Sequence, residues 1–370
     1  MNSTSRRYDI DWLRVIAIFL LLIYHIAIVF QPWGVFIGFM QNNEPLTGLW
    51  TTMAMVNIWR IPLLFFVSGM GVCFAMRKRN WKQLIAERTQ RILIPFIFGV
   101  LVIVPLHILI WLSYYNQEPA YTLTIGHLWF LGNIFAYVLL LMPLFYYLKH
   151  KPEGIIQRLL TKLFKYPLSI ILVIIPFILE TVIVNPEIFT MYAYSWHGFF
   201  LGLLAFLFGY LFIYCGSTFW DTILKWRWTY LLAAITLFVV RYRVYDLEAP
   251  GYLLAIESII WIYSLFGLAY RYLNHPGKTL SYLSKAAYPV YIIHMVYLYL
   301  ASLVILPLEL PAIVKFLLIN LATFLVCYVT YELVIKRIPF IGMLFGVNSS
   351  SQLFTIIPWK KIKIANHASS

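Results

Sequence analysis

Long apolar runs recur along the whole chain, separated by short polar stretches. Each run approaches the ~20 residues that an α-helix needs to cross a lipid bilayer. The seventh run is the weakest, because Arg241 and Arg243 lie near its end. The pattern predicts an all-α polytopic membrane protein with ten transmembrane helices, and it leaves open an additional segment at about 338–354, which is short and broken by glycine. The ten runs cover residues 10–30, 54–76, 92–114, 128–148, 168–184, 198–215, 228–245, 252–273, 285–305 and 313–335.

The composition agrees with a membrane protein. The chain is 62% hydrophobic and 11% charged, whereas soluble domains are about half apolar and about a quarter charged. The first run is too long for a removable signal peptide and lacks a small-residue cleavage site, so we expect it to remain as the first helix. We predict an integral-membrane domain over 1–345 and a basic cytoplasmic tail over 346–370. Three widely spaced cysteines in apolar runs indicate neither a disulfide framework nor a metal site: Cys73, Cys215 and Cys327.

The net charge of +14 is distributed in a way that argues against a nucleic-acid partner. With the N-terminus in the cytoplasm, all but five of the 28 Lys and Arg residues fall on the cytoplasmic side or in the tail. Of those five, Arg241, Arg243 and Lys315 are predicted to lie outside, and Arg14 and Arg60 lie within apolar runs. This is the positive-inside pattern. It predicts that both termini are cytoplasmic and that the basic face meets the lipid bilayer.

The first apolar run carries three polar residues, Asp11, Arg14 and His25. On an α-helix the three share one face, and Arg14 and His25 lie roughly 16 Å apart along the axis. Asp11 and Arg14 have the i,i+3 spacing of an ion pair. Charged residues within membrane spans usually line a site, and an imidazole can take a proton from a hydroxyl. The alternative is that His25 is a buried polar residue hydrogen-bonded to a carbonyl.

The second run contains Arg60 as another intramembrane cation, and Pro62, which is expected to kink the helix. The pair at 68–69, Ser-Gly, is better explained by close helix packing than by a nucleophilic serine. In the following cytoplasmic loop, Arg88 and Arg91 have a spacing at which two guanidinium groups can bind one polyphosphate.

Further polar residues lie in the outer loops and in later runs. The outer loops are rich in Tyr and Trp and contain His127 and His197; these aromatics fit a membrane-interface belt and also an outward carbohydrate cleft. Glu180 and Glu257 lie within runs five and eight and require partners. His294 in run nine is a second candidate histidine.

The chain resembles the membrane-bound acyltransferase 3 family over nearly its full length. Members typically open the first helix with an aspartate, an arginine three residues on, and a histidine after ten intervening residues, which here match Asp11, Arg14 and His25. The family's cytoplasmic R-x-x-R matches Arg88 and Arg91, followed by the usual Pro95. The residues WRIPLLFF in the second helix and the terminal YELVIKR look more like the branch of the family that contains glucan-modifying succinyltransferases. Further motifs of the family fit residues 65–69, 126–131, 288–294 and 331–337.

The resemblance implies transfer of an acyl group from cytoplasmic acyl-CoA (acetyl-CoA or succinyl-CoA) to a carbohydrate hydroxyl on the outer side, without a metal. Arg88 and Arg91 would hold the CoA phosphates, and the pantetheine arm would pass Arg14, held in position by Asp11. His25 would act as general base or accept the acyl group itself. The resemblance also implies the bacterial cytoplasmic membrane.

Two other functions remain open from the sequence. Intramembrane charges and kinked helices are compatible with a secondary transporter of a polar solute, although no inverted repeat is evident. A non-catalytic partner in envelope polysaccharide synthesis would keep the fold without the activity. The sequence fixes neither the acyl group nor the acceptor nor the oligomeric state. A succinyl donor would require an extra cation, for which Arg60 is one candidate.

Overall fold

The computed structural model describes residues 6–347. Over these residues the chain is helical and contains no β-strand, and ten helices are long and apolar enough to cross a membrane. The predicted all-α architecture with ten spans is therefore confirmed. Ten crossings would return the chain to the side on which it starts. The helices are α1 (Tyr8–Ile28), α2 (Leu49–Lys78), α3 (Trp81–Tyr114), α4 (Gly126–His150), α5 (Pro167–Val184), α6 (Trp196–Tyr214), α7 (Thr218–Val244), α8 (Gly251–Tyr272), α9 (Lys278–Ile305) and α10 (Ala312–Ile335).

Several helices begin before their apolar runs, and the longest of these extensions lie at the basic side. Helix α7 starts ten residues earlier than its run and α9 seven residues earlier. The stretch before run three, predicted as a loop, is helical from Trp81, where Asn80 and Gln83 form a capping box. Backbone hydrogen bonds extend a helix regardless of side-chain polarity, whereas hydropathy marks only the part suited to lipid.

A short amphipathic helix, Ile155–Phe164, lies between α4 and α5. One side exposes an i, i+4, i+8 stripe formed by Ile155, Leu159 and Leu163, and cationic side chains lie among these residues. This pattern is typical of a helix lying in a membrane interface. The apolar runs did not predict it because it is too short and too polar to span.

The end of the described chain forms a helix of six residues, Pro339–Leu344. It is too short to cross a bilayer. The remainder of the segment at 338–354, and the predicted basic tail beyond residue 347, lie outside the described residues.

Helices α2 and α6 cross at very close range through glycines. A Cβ atom on Gly69 would lie 1.9 Å from the backbone oxygen of Phe206, and one on Gly209 would lie 2.0 Å from that of Phe66. Ser68 donates its hydroxyl hydrogen to the carbonyl four residues before it. The packing role predicted for the Ser-Gly pair is therefore confirmed.

Helix α2 continues through Pro62 without interruption. Because proline has no N–H, the carbonyl of Ile58 loses its usual helical partner. Two hydroxyl groups from elsewhere in the bundle replace that partner: Tyr192 donates to Ile58 O at 3.1 Å and Ser258 donates at 2.8 Å. In a membrane protein this compensation is needed, since lipid offers no hydrogen bonds to an open carbonyl.

The two buried glutamates have the partners that the sequence required. Glu180 lies 3.0 Å from Nδ1 of His197. Arg241 donates twice to Glu257, from Nε at 2.7 Å and from Nη2 at 3.1 Å. Arg241, which the charge pattern predicts on the outer side, is only 3% exposed, because Glu257 on α8 holds its guanidinium inside the bundle.

Candidate functional site

A pair of histidines joins α1 to α9. Nδ1 of His25 lies 2.9 Å from Nε2 of His294, and the two rings are nearly parallel, with their centroids 5.2 Å apart. On its other side, Nδ1 of His294 lies 2.6 Å from the backbone oxygen of Tyr291. His25 is partly exposed, whereas His294 is buried.

These contacts determine which nitrogen of each neutral ring carries the hydrogen. The carbonyl of Tyr291 only accepts, so Nδ1 of His294 must be the donor there. Nε2 of His294 is then an acceptor, and Nδ1 of His25 donates to it. Nε2 of His25 therefore keeps its lone pair, and no hydrogen bond from residues 6–347 reaches it. The arrangement presents a free basic nitrogen, as a general base or nucleophile requires.

Two further histidines extend this pair. The His127 ring meets the His294 ring edge to face at a centroid distance of 5.1 Å, and His107 lies 5.6 Å from His127. His127 donates from Nε2 to the backbone oxygen of Ile292. Within the described part of the chain, no group of three or more His, Cys, Asp or Glu residues is arranged to hold a metal ion.

The segment after α1 folds over the histidine pair. The Phe39 ring lies 5.7 Å from the His25 ring, and Tyr299 on α9 donates to the carbonyl of Gly38 at 2.6 Å. The segment is also fastened farther along, since Asn42 N donates to the carbonyl of Val29. His25 thus lies beneath an ordered cover on the side opposite to Arg14.

Arg60 on α2 is buried beside this pair. Its guanidinium lies 3.9 Å from the centroid of the Tyr24 ring, and it is close enough to His25 for an electrostatic interaction. Nη2 donates to the side chain of Asn57 at 3.1 Å. Nε and Nη1 have no hydrogen-bond partner among the residues that the structure describes.

At the opposite end of α1, Asp11 pairs with Arg14 as its spacing predicted. Nη2 of Arg14 lies 2.8 Å from the carboxylate, and Arg6 binds the second oxygen of the same carboxylate at 2.8 Å. Arg14 and His25 do not touch, because about three helical turns separate them on one continuous helix. Asp11 is therefore placed to orient Arg14.

Arg88 and Arg91 lie at the same end of the molecule as Arg14. Arg91 lies in a π-helical turn, Thr89–Leu93, and binds Glu87 at 3.2 Å. Arg88 is within electrostatic range of Arg14 and Arg91. Its Nη2 contacts the Gly71 carbonyl at 3.5 Å, and its buried Nε has no hydrogen-bond partner within residues 6–347. π-Helical turns occur frequently at functional sites.

The structure thus brings the predicted residues into two groups, one around Arg14 and Arg88 and the other around His25. His294, which the sequence indicated as a second candidate histidine, is the direct partner of His25. The contacts of Phe39 and His107 with this group had no local signal, since they depend on tertiary packing. Only the motif ending at His294 pointed to α9.

A family model described as an acyltransferase domain matches residues 7–332. The matched region contains every candidate site residue named above, from Asp11 to His294. No match was found among curated proteins or among solved structures.

Proposed function

The chain belongs to the acyltransferase 3 family, and from this premise we propose that it moves an acyl group from cytoplasmic acyl-CoA to a hydroxyl of a carbohydrate on the outer side of a bacterial cytoplasmic membrane. The family and the ten spans support a membrane acyltransferase rather than a transporter. The observation that carries the finer proposal is the free Nε2 of His25, held in that state by His294.

The reaction at His25 begins at Nε2 by either of two routes. As a general base, Nε2 takes the proton of the acceptor hydroxyl while its oxygen attacks the thioester carbon. The tetrahedral intermediate then expels the CoA thiolate, which takes the proton from the imidazolium, so the products are an ester and free CoA thiol. As a nucleophile, Nε2 instead attacks the thioester carbon, the C–S bond breaks and CoA leaves as the thiolate. The acceptor oxygen then takes the acyl group from the resulting acyl-imidazolium, its proton passes to the thiolate, and His25 is regenerated.

The donor would enter from the basic side. Arg88 and Arg91 provide guanidinium groups for the phosphates of CoA. The buried Nε of Arg88, which has no hydrogen-bond partner in the described part of the chain, is a donor available for such an anion. The pantetheine arm would run along α1 past Arg14, whose side chain Asp11 steadies. Roughly 16 Å along the helix axis then separate Arg14 from the level of His25.

The acceptor would approach from the opposite side. Exposed aromatic side chains occur there in the loops and at the helix ends next to them, including Phe36, Tyr121, Tyr194 and Trp196. Their faces suit the apolar faces of sugar rings, and Tyr194 also donates to the Gly126 carbonyl, which holds its loop in place. This side of the molecule therefore supports a carbohydrate acceptor.

The proposal is tested with purified protein, radiolabelled acetyl-CoA or succinyl-CoA and a glucose oligosaccharide. The wild-type chain is expected to release CoA thiol and to label the oligosaccharide, and His25→Ala is expected to abolish both. The matched control is His150→Ala, because His150 is an exposed histidine at the end of α4. A folded His25→Ala protein that retains transfer would refute the role of His25. Intact-mass detection of an acylated protein separates the two routes.

A further inference from the structure

Arg60 and Arg241 are equally buried, each about 3% exposed, but only one of them is neutralised. Arg241 forms a two-fold contact with the carboxylate of Glu257. Arg60 forms no ion pair with any carboxylate among residues 6–347. A buried charge without a counter-charge is costly, so its retention calls for a function.

The surroundings of Arg60 hold the cation without cancelling its charge. The Tyr24 ring supports the guanidinium through a cation–π contact at 3.9 Å, and Asn57 accepts one hydrogen bond. One side of the guanidinium is thereby fixed, while Nε and Nη1 remain unused. These two nitrogens provide strong donors that bind no group of residues 6–347.

The backbone that carries Arg60 is also fixed. The carbonyl of Ile58, two residues before it, is bonded by Tyr192 and Ser258. Tyr24, which supports the guanidinium, directly precedes His25 in α1. Arg60 is therefore a positioned cation that packs on Tyr24, next to His25 in the chain, and is close enough to His25 for an electrostatic interaction.

We propose that Arg60 is a catalytic residue that stabilises the negative charge appearing on the thioester carbonyl oxygen during acyl transfer. This inference rests on the proposed function. When the acceptor oxygen bonds to the carbonyl carbon, its proton moves to Nε2 of His25 and the carbonyl π electrons move onto the oxygen. Arg60 donates to that oxyanion. Collapse of the intermediate returns the electrons, breaks the C–S bond and leaves Arg60 unchanged.

The absence of a counter-charge favours this role. A guanidinium already bound to a carboxylate would have its donors occupied and its field cancelled, as in Arg241. An unneutralised cation interacts weakly with a neutral thioester and strongly with the oxyanion, and only such a differential interaction accelerates the chemical step. In a site with little water this electrostatic contribution is large.

The test compares Arg60→Met and Arg60→Lys with the wild type, using acetyl-CoA and succinyl-CoA separately and following release of CoA thiol with a glucose oligosaccharide as acceptor. For Arg60→Met we expect kcat to fall about 10²–10³-fold with both donors, with the apparent KM for the donor nearly unchanged. Arg60→Lys keeps the positive charge but lacks the planar guanidinium group, so its kcat is expected to lie between those of Arg60→Met and the wild type.

Each result has a defined meaning. Unchanged kcat, or a loss expressed only in KM, would overturn the proposal. A loss restricted to succinyl-CoA would also overturn it and would make Arg60 an anchor for the acyl carboxylate. A wild-type chain that consumes neither donor would instead refute the proposed function, and the inference with it.

A stability measurement checks the premise independently of activity. Because Arg60 has no carboxylate partner among the described residues, Arg60→Met is expected to leave the thermal unfolding midpoint unchanged or to raise it. Arg241→Met leaves Glu257 buried without its ion-pair partner and is expected to lower the thermal unfolding midpoint clearly. Equal destabilisation by both variants would show that Arg60 is a structural residue and would overturn the inference.

Discussion

The bond between His25 and His294 makes a quantitative prediction about catalysis. His294→Phe keeps an aromatic ring in the stack at 5.2 Å but removes the acceptor 2.9 Å from Nδ1 of His25. The His25 ring then either leaves its Nδ1–H unsatisfied or moves the hydrogen to Nε2. The second state has no lone pair at the reacting nitrogen.

The size of the effect follows from the cost of the lost bond. Leaving a buried donor unsatisfied costs about 1–3 kcal/mol, and each 1.36 kcal/mol corresponds to a factor of ten in rate. If that energy is lost from the population of the reactive tautomer, kcat falls about 5- to 150-fold. The apparent KM for acyl-CoA is expected to change little, because the donor groups around Arg88 lie at the other end of α1.

The assay measures kcat and KM for CoA release together with the ¹⁵N spectrum of histidine-labelled protein. In the wild type, the His25 signals should show a hydrogen on Nδ1 and a bare Nε2. His294→Gln places an amide oxygen near the former Nε2 and is expected to recover a substantial part of kcat. The matched control is His127→Phe, since the His127 ring touches His294 edge to face without a hydrogen bond to His25.

The reasoning would be refuted if folded His294→Phe protein kept kcat within about twofold of the wild type, against the factor expected from the lost bond. It would also be refuted if His127→Phe lowered kcat as much as His294→Phe. In that case ring packing, and not the tautomer of His25, would explain the effect.

Two further predictions concern donor binding and helix packing. Replacing Arg88 and Arg91 together with Gln should raise the apparent KM for acyl-CoA by more than it lowers kcat at saturating donor; an unchanged KM would place the CoA phosphates elsewhere. Gly69→Ala forces a methyl group against the Phe206 backbone oxygen at 1.9 Å and should destabilise the protein by about 1–3 kcal/mol, measured by thermal unfolding in detergent. Gly71→Ala is the control, because no atom of the described residues lies within 4 Å of its added methyl group, and equal shifts in the unfolding midpoint would contradict the packing argument.

Hydropathy predicted the number and order of the helices but not their full lengths. A transmembrane run is marked by its need to avoid polar groups, and that need ends at the membrane surface. The first turns of α7 contain Asp221 and Lys225, so the apolar run does not include them although their backbone is helical. The capping box at Asn80 and Gln83 was a local signal that the expected loop would be a helix.

The candidate site was predictable only where its contacts are local. Asp11 and Arg14 pair within one helical turn, so their spacing alone indicated the bond. His25 and His294 are 269 residues apart, and no periodicity in the chain relates them. The burial of Arg241 shows the same limit, since it depends on Glu257 in the neighbouring helix.

The carbonyl of Ile58 has a consequence for the order in which the protein is assembled. Its two hydroxyl partners follow it by 134 and 200 residues, so neither has been synthesised when α2 first enters the bilayer. Because lipid offers no hydrogen bond to a free carbonyl, the Ile58 carbonyl stays without a partner until Tyr192 and Ser258 are inserted with the later part of the chain. The carbonyl therefore favours the final bundle over an early pairing of α1 and α2 alone. A proline that weakens one helix in isolation thus makes the completion of the bundle more cooperative.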